Sequence, residues 1–96
     1  MLTSKQKKFL RSESHAVQPI FQVGKAGVNE NMTVQIEEAL EKRELIKVSI
    51  LQNCFEDNQA VANEISDQTG AEIVQLIGNT IILYKESQEN KQLILP

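Results

Sequence analysis

One apolar stripe and the alternating segment that follows it constrain the fold more than any other feature of the sequence. Apolar side chains recur at the i, i+4, i+7 and i+8 spacing of a single helix face, at Met32, Ile36, Ala39 and Leu40. Asn29 can cap this helix, and residues 45–51 then alternate between apolar and polar side chains. Because the apolar stripe and the apolar strand face must each be covered, the pattern predicts a helix packed on a sheet.

The segment before this pair predicts one more helix and one more strand. Ser4 can cap a helix that runs to about Ser12, with Phe9 and Leu10 turned inward. Pro19 ends the connection that follows. Residues 20–23 then form a short β-rich run that stops at a glycine.

The segment after it predicts a third helix and a hairpin. Asp57 or Asn58 can cap the helix, and Gly70 supplies a left-handed stop. Two β-rich runs follow, residues 72–77 and 80–85. They are separated by Gly78-Asn79, which is typical of a two-residue hairpin turn with positive φ.

The predicted fold is therefore α/β (α+β), in the order α-β-α-β-α-β-β. Two crossovers through helices require parallel pairing, whereas the hairpin is antiparallel, so we expect a mixed four-stranded sheet with three helices. With fewer helices than strands, one sheet face should be covered and the other partly open. We expect one domain over residues 1–96, with its core in about residues 3–85 and a frayed C-terminal tail at residues 86–96.

Charge is distributed unevenly along the chain. The net charge is −3, but residues 1–27 hold five basic residues against one acidic residue, and residues 28–96 hold five against twelve. A basic end can present a cationic surface on an acidic protein. The alternative interpretation is a solvated, lysine-rich first helix.

Few residues could carry catalysis or bind a metal. His15 is the single histidine and Cys54 the single cysteine, so the sequence has no histidine cluster and no cysteine pair at ligand spacing. A nucleophilic Cys54–His15 pair stays open as the enzymatic alternative. Glu37, Glu38 and Glu41 flank the apolar stripe and are interpreted as a solvated helix face. We expect a non-enzymatic protein without cofactor, metal or small-molecule substrate.

We expect no targeting signal in this protein. No apolar run has the length of a membrane helix, and the lysine-rich N-terminal segment lacks the apolar core of a signal peptide. The lone cysteine suits a reducing compartment. We expect a cytoplasmic protein with no membrane partner.

The segment Gly24-Lys25-Ala26-Gly27, called the glycine loop below, is the strongest candidate binding site. Glycines allow another backbone to approach closely, and the predicted helix after the loop directs unpaired N–H groups and its positive dipole end outward. Lys25 adds a cation. Gly-X-X-Gly loops clamp nucleotide backbones in KH domains, although there they join two helices. The residues alone leave a phosphate clamp and a simple tight turn equally open.

Read along its length, the chain resembles a bacterial stand-alone CRM (chloroplast RNA splicing and ribosome maturation) domain of the YhbY type. The resemblance covers residues 3–85. It rests on the order and spacing of short motifs: Lys5-Gln6-Lys7, the His15 to Pro19 connection, the glycine loop, Glu37-Glu38-Ala39-Leu40-Glu41, Glu44-Leu45-Ile46-Lys47-Val48, Thr69-Gly70-Ala71, Gly78-Asn79-Thr80 and Ile82-Leu83-Tyr84.

The resemblance implies a fold similar to the C-terminal domain of translation initiation factor three. It also implies binding of structured RNA through the glycine loop and association with large ribosomal subunit precursors. The implied RNA-binding residues are Gly24, Lys25, Ala26 and Gly27, extended by Lys5, Lys7, Lys8 and Arg11. Lys85 is a weaker candidate, because relatives commonly have an arginine there and lysine lacks its bidentate fork.

The resulting hypothesis is a monomeric RNA-binding factor that acts on ribosomal RNA during large-subunit assembly. The alternative is a protein-interaction module that docks on a ribosomal protein or assembly factor. It would use the open sheet face or the acidic helix face at Glu37, Glu38 and Glu41.

Overall fold

A computed structural model describes residues 2–52, 54 and 56–96. Seven elements follow one another in the predicted order. They are α1 (Ser4–Ser14), β1 (Pro19–Val23), α2 (Glu30–Arg43), β2 (Leu45–Ile50), α3 (Asn58–Thr69), β3 (Glu72–Ile77) and β4 (Thr80–Tyr84). The predicted α+β class with three helices and four strands is confirmed.

The four strands form one mixed sheet in the order β1-β2-β4-β3. β1 runs parallel to β2, and β4 is antiparallel to both β2 and β3. Val23 lies opposite Ile50, and Thr80 lies opposite Ser49. The C-terminal ends of β1 and β2 and the β3–β4 turn therefore share one end of the sheet, called the loop end below.

Helix caps agree with the sequence signals at two of the three N-termini. Asn29 caps α2 by accepting the N–H of Met32 at 2.8 Å, and Asp57 caps α3. The prediction for α1 was one residue late. Thr3 is its cap, because the Thr3 hydroxyl accepts the N–H of Gln6 while the Gln6 side chain accepts the N–H of Thr3. α1 also extends two residues beyond the predicted end, to Ser14.

The larger core lies between the sheet and the helices α2 and α3. The predicted stripe packs there through Ile36 and Leu40, which are fully buried, and the predicted inner face of β2 lies against it. The fully buried residues of α3 in this core are Val61, Ala62 and Ile65, as the helical spacing predicts.

The opposite sheet face carries a second, smaller core. Leu10 of α1 is fully buried there with Leu45 and Tyr84, and the tail residues Leu93 and Leu95 pack against the same cluster. The expectation of a partly open face holds only toward the loop end, where Ile77 keeps 54% of its surface exposed. α1 and the tail together cover the rest.

The prediction of a frayed tail was wrong. The Glu44 carboxylate accepts the N–H groups of Ser87, Gln92 and Leu93 at 2.6–2.8 Å. The Glu41 carboxylate accepts the Ser87 hydroxyl and further backbone N–H groups of the tail. These two glutamates, called the glutamate clasp below, hold the tail to the end of α2 through long-range contacts that a local pattern does not display.

Candidate nucleic-acid interface

The glycine loop is a closed turn at the loop end of the sheet. The N–H of Gly27 donates to the carbonyl of Gly24 at 2.9 Å, which places Lys25 and Ala26 at the exposed centre of the turn. Gly27 has a φ of 71°, a backbone conformation that favours glycine, and Gly24 does not. One glycine is thus required by the turn geometry, and the lysine is left fully available at its tip.

The N-terminus of α2 follows the loop almost directly. The Asn29 side chain accepts a hydrogen bond from the N–H of Met32. The N–H groups of Glu30 and Asn31 have no intramolecular partner within the described residues. These donors and the helix dipole favour an anion. The Glu30 carboxylate in the first turn acts against that effect. Because Glu30 offsets the helix dipole, the positive charge available to a ligand at the N-terminus of α2 comes from Lys25.

A carboxylate also lies against the glycine loop. The Glu56 side chain packs so closely on Gly27 that a Cβ atom built there would be 2.7 Å from Glu56 Oε1. Any larger residue at position 27 would have to displace this side chain. No local pattern in the sequence marks Glu56 as part of the site, because it follows β2 and reaches the loop only through the pairing of β1 with β2. Its negative charge opposes a phosphate at the loop.

The basic residues of α1 do not form one cluster. Lys5 and Lys8 are exposed and Lys7 is half-buried in the first half of the helix, where Gln6 donates to the Pro96 carbonyl. Arg11 lies in the last turn and lines a cavity of about 300 Å³ at the loop end of the open sheet face. Of the α1 basic residues, Arg11 therefore lies with the loop end.

Lys47 lines the same cavity as Arg11. It belongs to the central strand β2, between Pro19 of β1 and Ile82 of β4. Lys47 is one of the polar positions in the alternation of residues 45–51, opposite in face to Ile46 and Val48, and the sequence pattern gave it no function. The alternation of residues 45–51 indicates that Lys47 points away from the larger core. Only the tertiary fold shows that Arg11 of α1 lies beside it.

Lys85 lies at the other end of the sheet from the glycine loop. It follows Tyr84, which pairs with Leu45 at the beginning of β2. Its ammonium group donates to the carbonyl of Thr69 at 2.7 Å, at the C-terminus of α3. A cation there satisfies a terminal helix carbonyl and complements the dipole. The structure therefore does not bring Lys85 together with the other predicted residues.

The two candidate catalytic residues lie on opposite faces of the sheet. Cys54 packs against the core under α2 and α3, whereas His15 lines the cavity beside α1. A nucleophile and its base must be within hydrogen-bonding reach, so this pair cannot act together. The described part of the chain also holds no group of three or more side chains that could bind a metal. Among the described residues, no helix has the length and apolarity to cross a membrane.

The three glutamates of the predicted acidic face of α2 do not share one environment. Glu37 and Glu38 are exposed, but Glu41 belongs to the glutamate clasp. The hydrogen bond from the Ser87 hydroxyl, helped by the N–H groups of Gln88 and Glu89, lowers the pKa of Glu41 to about 2. Burial alone would raise the pKa of Glu44, but its three backbone donors outweigh burial and the net pKa lies below the ordinary value. Both clasp residues are therefore anionic at neutral pH.

The fold and the glycine loop define a class of protein, a small α+β domain that presents a lysine-tipped loop beside a helix N-terminus. Comparison with known proteins identifies the family. Residues 2–85 match the model of the CRS1 / YhbY (CRM) domain, and the chain belongs to that family. The resemblance inferred from the motifs is confirmed.

Relatives of the chain carry names that refer to RNA. The chain is 65% identical over 96 residues to a Bacillus subtilis protein, YqeI, named as a probable RNA-binding protein, and each chain is covered completely. It is 39% identical over 90 residues to a Haemophilus influenzae protein named as RNA-binding, with 94% of this chain and 91% of the relative covered. The solution structure of SAV1595 from Staphylococcus aureus matches with 55% identity and a TM-score of 0.83, covering 100% of both chains.

Proposed function

We propose that this chain is an RNA-binding protein that contacts ribosomal RNA in precursors of the large ribosomal subunit. The observation that carries the proposal is the exposed Lys25 at the tip of a closed turn, just before the N-terminus of α2. Family membership and the RNA-binding names of relatives support it. The assignment to large-subunit precursors rests on the resemblance to ribosome-associated members of the family.

The proposed mechanism is phosphate recognition by the glycine loop. Lys25 neutralises a phosphate, and the small residues Gly24 and Ala26 let the RNA backbone approach the turn. Arg11 extends the cationic surface at the loop end. Lys5, Lys7 and Lys8 lie in the first half of α1 and contact more distant phosphates of a longer RNA. Binding of this kind depends on salt and discriminates weakly between sequences, because phosphates carry no sequence information. We further propose that the protein acts as a monomer in the cytoplasm.

Crosslinking in cells followed by sequencing of the attached RNA tests this proposal. We expect contacts concentrated in large-subunit ribosomal RNA. A variant with Lys25→Ala serves as the matched comparison, and it should lose most of these contacts at equal expression. Contacts scattered over messenger RNAs in the wild-type protein would contradict the assembly role while leaving RNA binding intact.

The protein-interaction alternative makes a different prediction in the same cells. A protein that sediments with ribosomal precursors but binds no isolated ribosomal RNA at low salt would act by docking on a protein. The acidic face proposed for that docking is reduced in the structure, because Glu41 holds the tail. We therefore favour the RNA-binding function.

A further inference from the structure

The cavity beside α1 has an unusual charge for this protein. Its lining includes Arg11, His15 and Lys47, with Gln75, Ile77 and Thr80 from the β3–β4 hairpin. None of the described residues that line it is acidic, although the chain as a whole has a net charge of −3. A concave surface lined by one sign of charge concentrates ligands of the opposite sign.

Lys47 is the strongest single indication of an anionic ligand. It is half-buried in the central strand of the sheet, with apolar neighbours Pro19 and Ile82 on either side. Within the described residues, no carboxylate forms an ion pair with Lys47 or with Arg11. A cation that lines a concave surface without an ion-pair partner can bind an anion there, and a bound anion would supply the missing partner.

The apolar and polar lining of the cavity suits a nucleobase. Ile77 exposes 54% of its surface at the rim, and the Gln75 amide and Thr80 hydroxyl provide donors and acceptors beside it. The planar guanidinium of Arg11 can stack on a base as well as bind a phosphate. Bases within an A-form duplex are not presented to such a surface, whereas unpaired bases can be turned outward.

The position of the cavity links it to the glycine loop. Thr80 pairs with Ser49, and Val23, the last residue before the loop, pairs with Ile50. The loop and β4 are thus separated by two strand spacings, about 10 Å, at the same end of the sheet. One RNA strand that crosses this end can contact both.

We propose that this cavity binds an unpaired nucleotide of the RNA held by the glycine loop. Lys47 and Arg11 bind its phosphate, and Ile77, Gln75 and Thr80 receive the base. The inference rests on the proposed RNA-binding function and extends it. The preferred substrate becomes a structured RNA with an unpaired segment beside the helix.

Two synthetic RNAs test the proposal, a hairpin with a single-stranded 3′ extension and the same hairpin with a blunt end. With Lys47→Met, which keeps the side-chain length and removes the charge, we expect affinity for the extended hairpin to fall roughly five- to tenfold. Its salt dependence should become shallower by about one unit. Affinity for the blunt hairpin should not change. Lys42→Met, a lysine outside the cavity, is the matched control.

A crosslinking measurement keeps the test independent of folding effects in the variants. With 4-thiouridine in the 3′ extension, wild-type protein should crosslink within the β3–β4 hairpin, at Lys47 or at Arg11. Crosslinks entirely outside these residues would overturn the proposal. So would equal binding of both RNAs by Lys47→Met and wild type.

The outcomes separate this inference from the function of the loop. Weaker binding of both RNAs by Lys25→Ala, with no effect of Lys47→Met, would retain the loop and reject the cavity. Loss with Lys47→Met alone would retain the cavity and reject the loop. If Lys47→Met weakened binding of polyglutamate but of neither RNA, the cavity would belong to an acidic protein partner and the proposal would be wrong.

Discussion

The Glu44 carboxylate accepts the N–H of Leu93 at 2.8 Å, from a residue 49 positions further along the chain. Glu44 is fully buried and has a φ of 64°, which is uncommon for a residue other than glycine. Its own N–H donates to Leu40, and its carbonyl accepts from Lys85. One residue thus ends α2, begins the passage into β2 and holds the tail.

Replacing Glu44 with alanine should destabilise the protein by about 2–4 kcal/mol. The substitution leaves the N–H groups of Ser87, Gln92 and Leu93 without their acceptor, and buried donors without a partner are costly. Urea denaturation followed by circular dichroism measures the change. Glu38→Ala, an exposed glutamate on the same helix, should stay within about 0.5 kcal/mol of wild type. Equal effects of the two variants would contradict the structural role of Glu44.

Glycine at the same position separates backbone strain from the lost hydrogen bonds. Glu44→Gly loses the same carboxylate, but glycine adopts a φ of 64° without steric strain. It should therefore be more stable than Glu44→Ala by about 1 kcal/mol. This order is the reverse of the preference for alanine over glycine inside a helix. If alanine were the more stable of the two, the backbone at position 44 would not be strained.

Acid should release the tail before it unfolds the domain. The pKa of Glu41 falls from 4.5 to about 2 on folding, so its contribution is present above pH 4.5 and is lost as the pH falls toward 2. Protection of the Gln88 and Glu89 amides, measured as the exchange rate relative to the intrinsic rate at each pH, should fall over this range while the central strands stay protected. In Glu41→Gln, the protection of these amides should be lower than in wild type at neutral pH and should change less as the pH falls. A tail that remains protected at pH 2 would show that Glu41 does not hold it.

Lys25→Ala should weaken RNA binding by about 1 kcal/mol and reduce the salt slope by about one unit. Lys25 is exposed at the centre of the turn and forms no ion pair within the described residues, so its loss should leave the fold intact. Fluorescence anisotropy with a ribosomal RNA fragment at several salt concentrations measures both quantities. Unchanged affinity and slope would remove Lys25 from the interface.

Removing the charge of Glu56 should strengthen RNA binding. Its carboxylate packs on Gly27 at the loop, so a phosphate placed there is repelled. We expect Glu56→Gln to bind RNA about two- to fivefold more tightly at low salt, with a smaller gain as salt screens the charge. Glu37→Gln makes the same charge change on α2 and should have little effect. Equal gains in both variants would indicate a general effect of net charge.

Local sequence patterns predicted most of the fold. The helical spacing in α2 and the alternation in β2 identified their buried faces. This works because the repeat of a helix or a strand alone fixes which of its side chains lie on the same face. Asn29, Gly70 and Gly78 carried the local signals of a cap, a helix stop and a hairpin turn, and the structure places them in those roles. The glycine loop was visible for the same reason.

Two features could not be read from local patterns. Glu41 resembled an ordinary exposed glutamate, and the partners that make it part of the clasp lie in the tail. Lys85 resembled a surface cation, whereas its partner is the last turn of α3. In both cases the side chain's role depends on a residue that is distant along the chain.

The amino-acid sequence by itself determined the element order, the caps of α2 and α3, the buried faces and the position of the glycine loop, since each follows from interactions within a few residues. Tertiary structure alone decided what meets at the loop end of the sheet. Strand pairing and the packing of α1 bring Lys47 beside Arg11 and Glu56 against Gly27. Such contacts depend on how separate elements are placed in space, which no local period encodes.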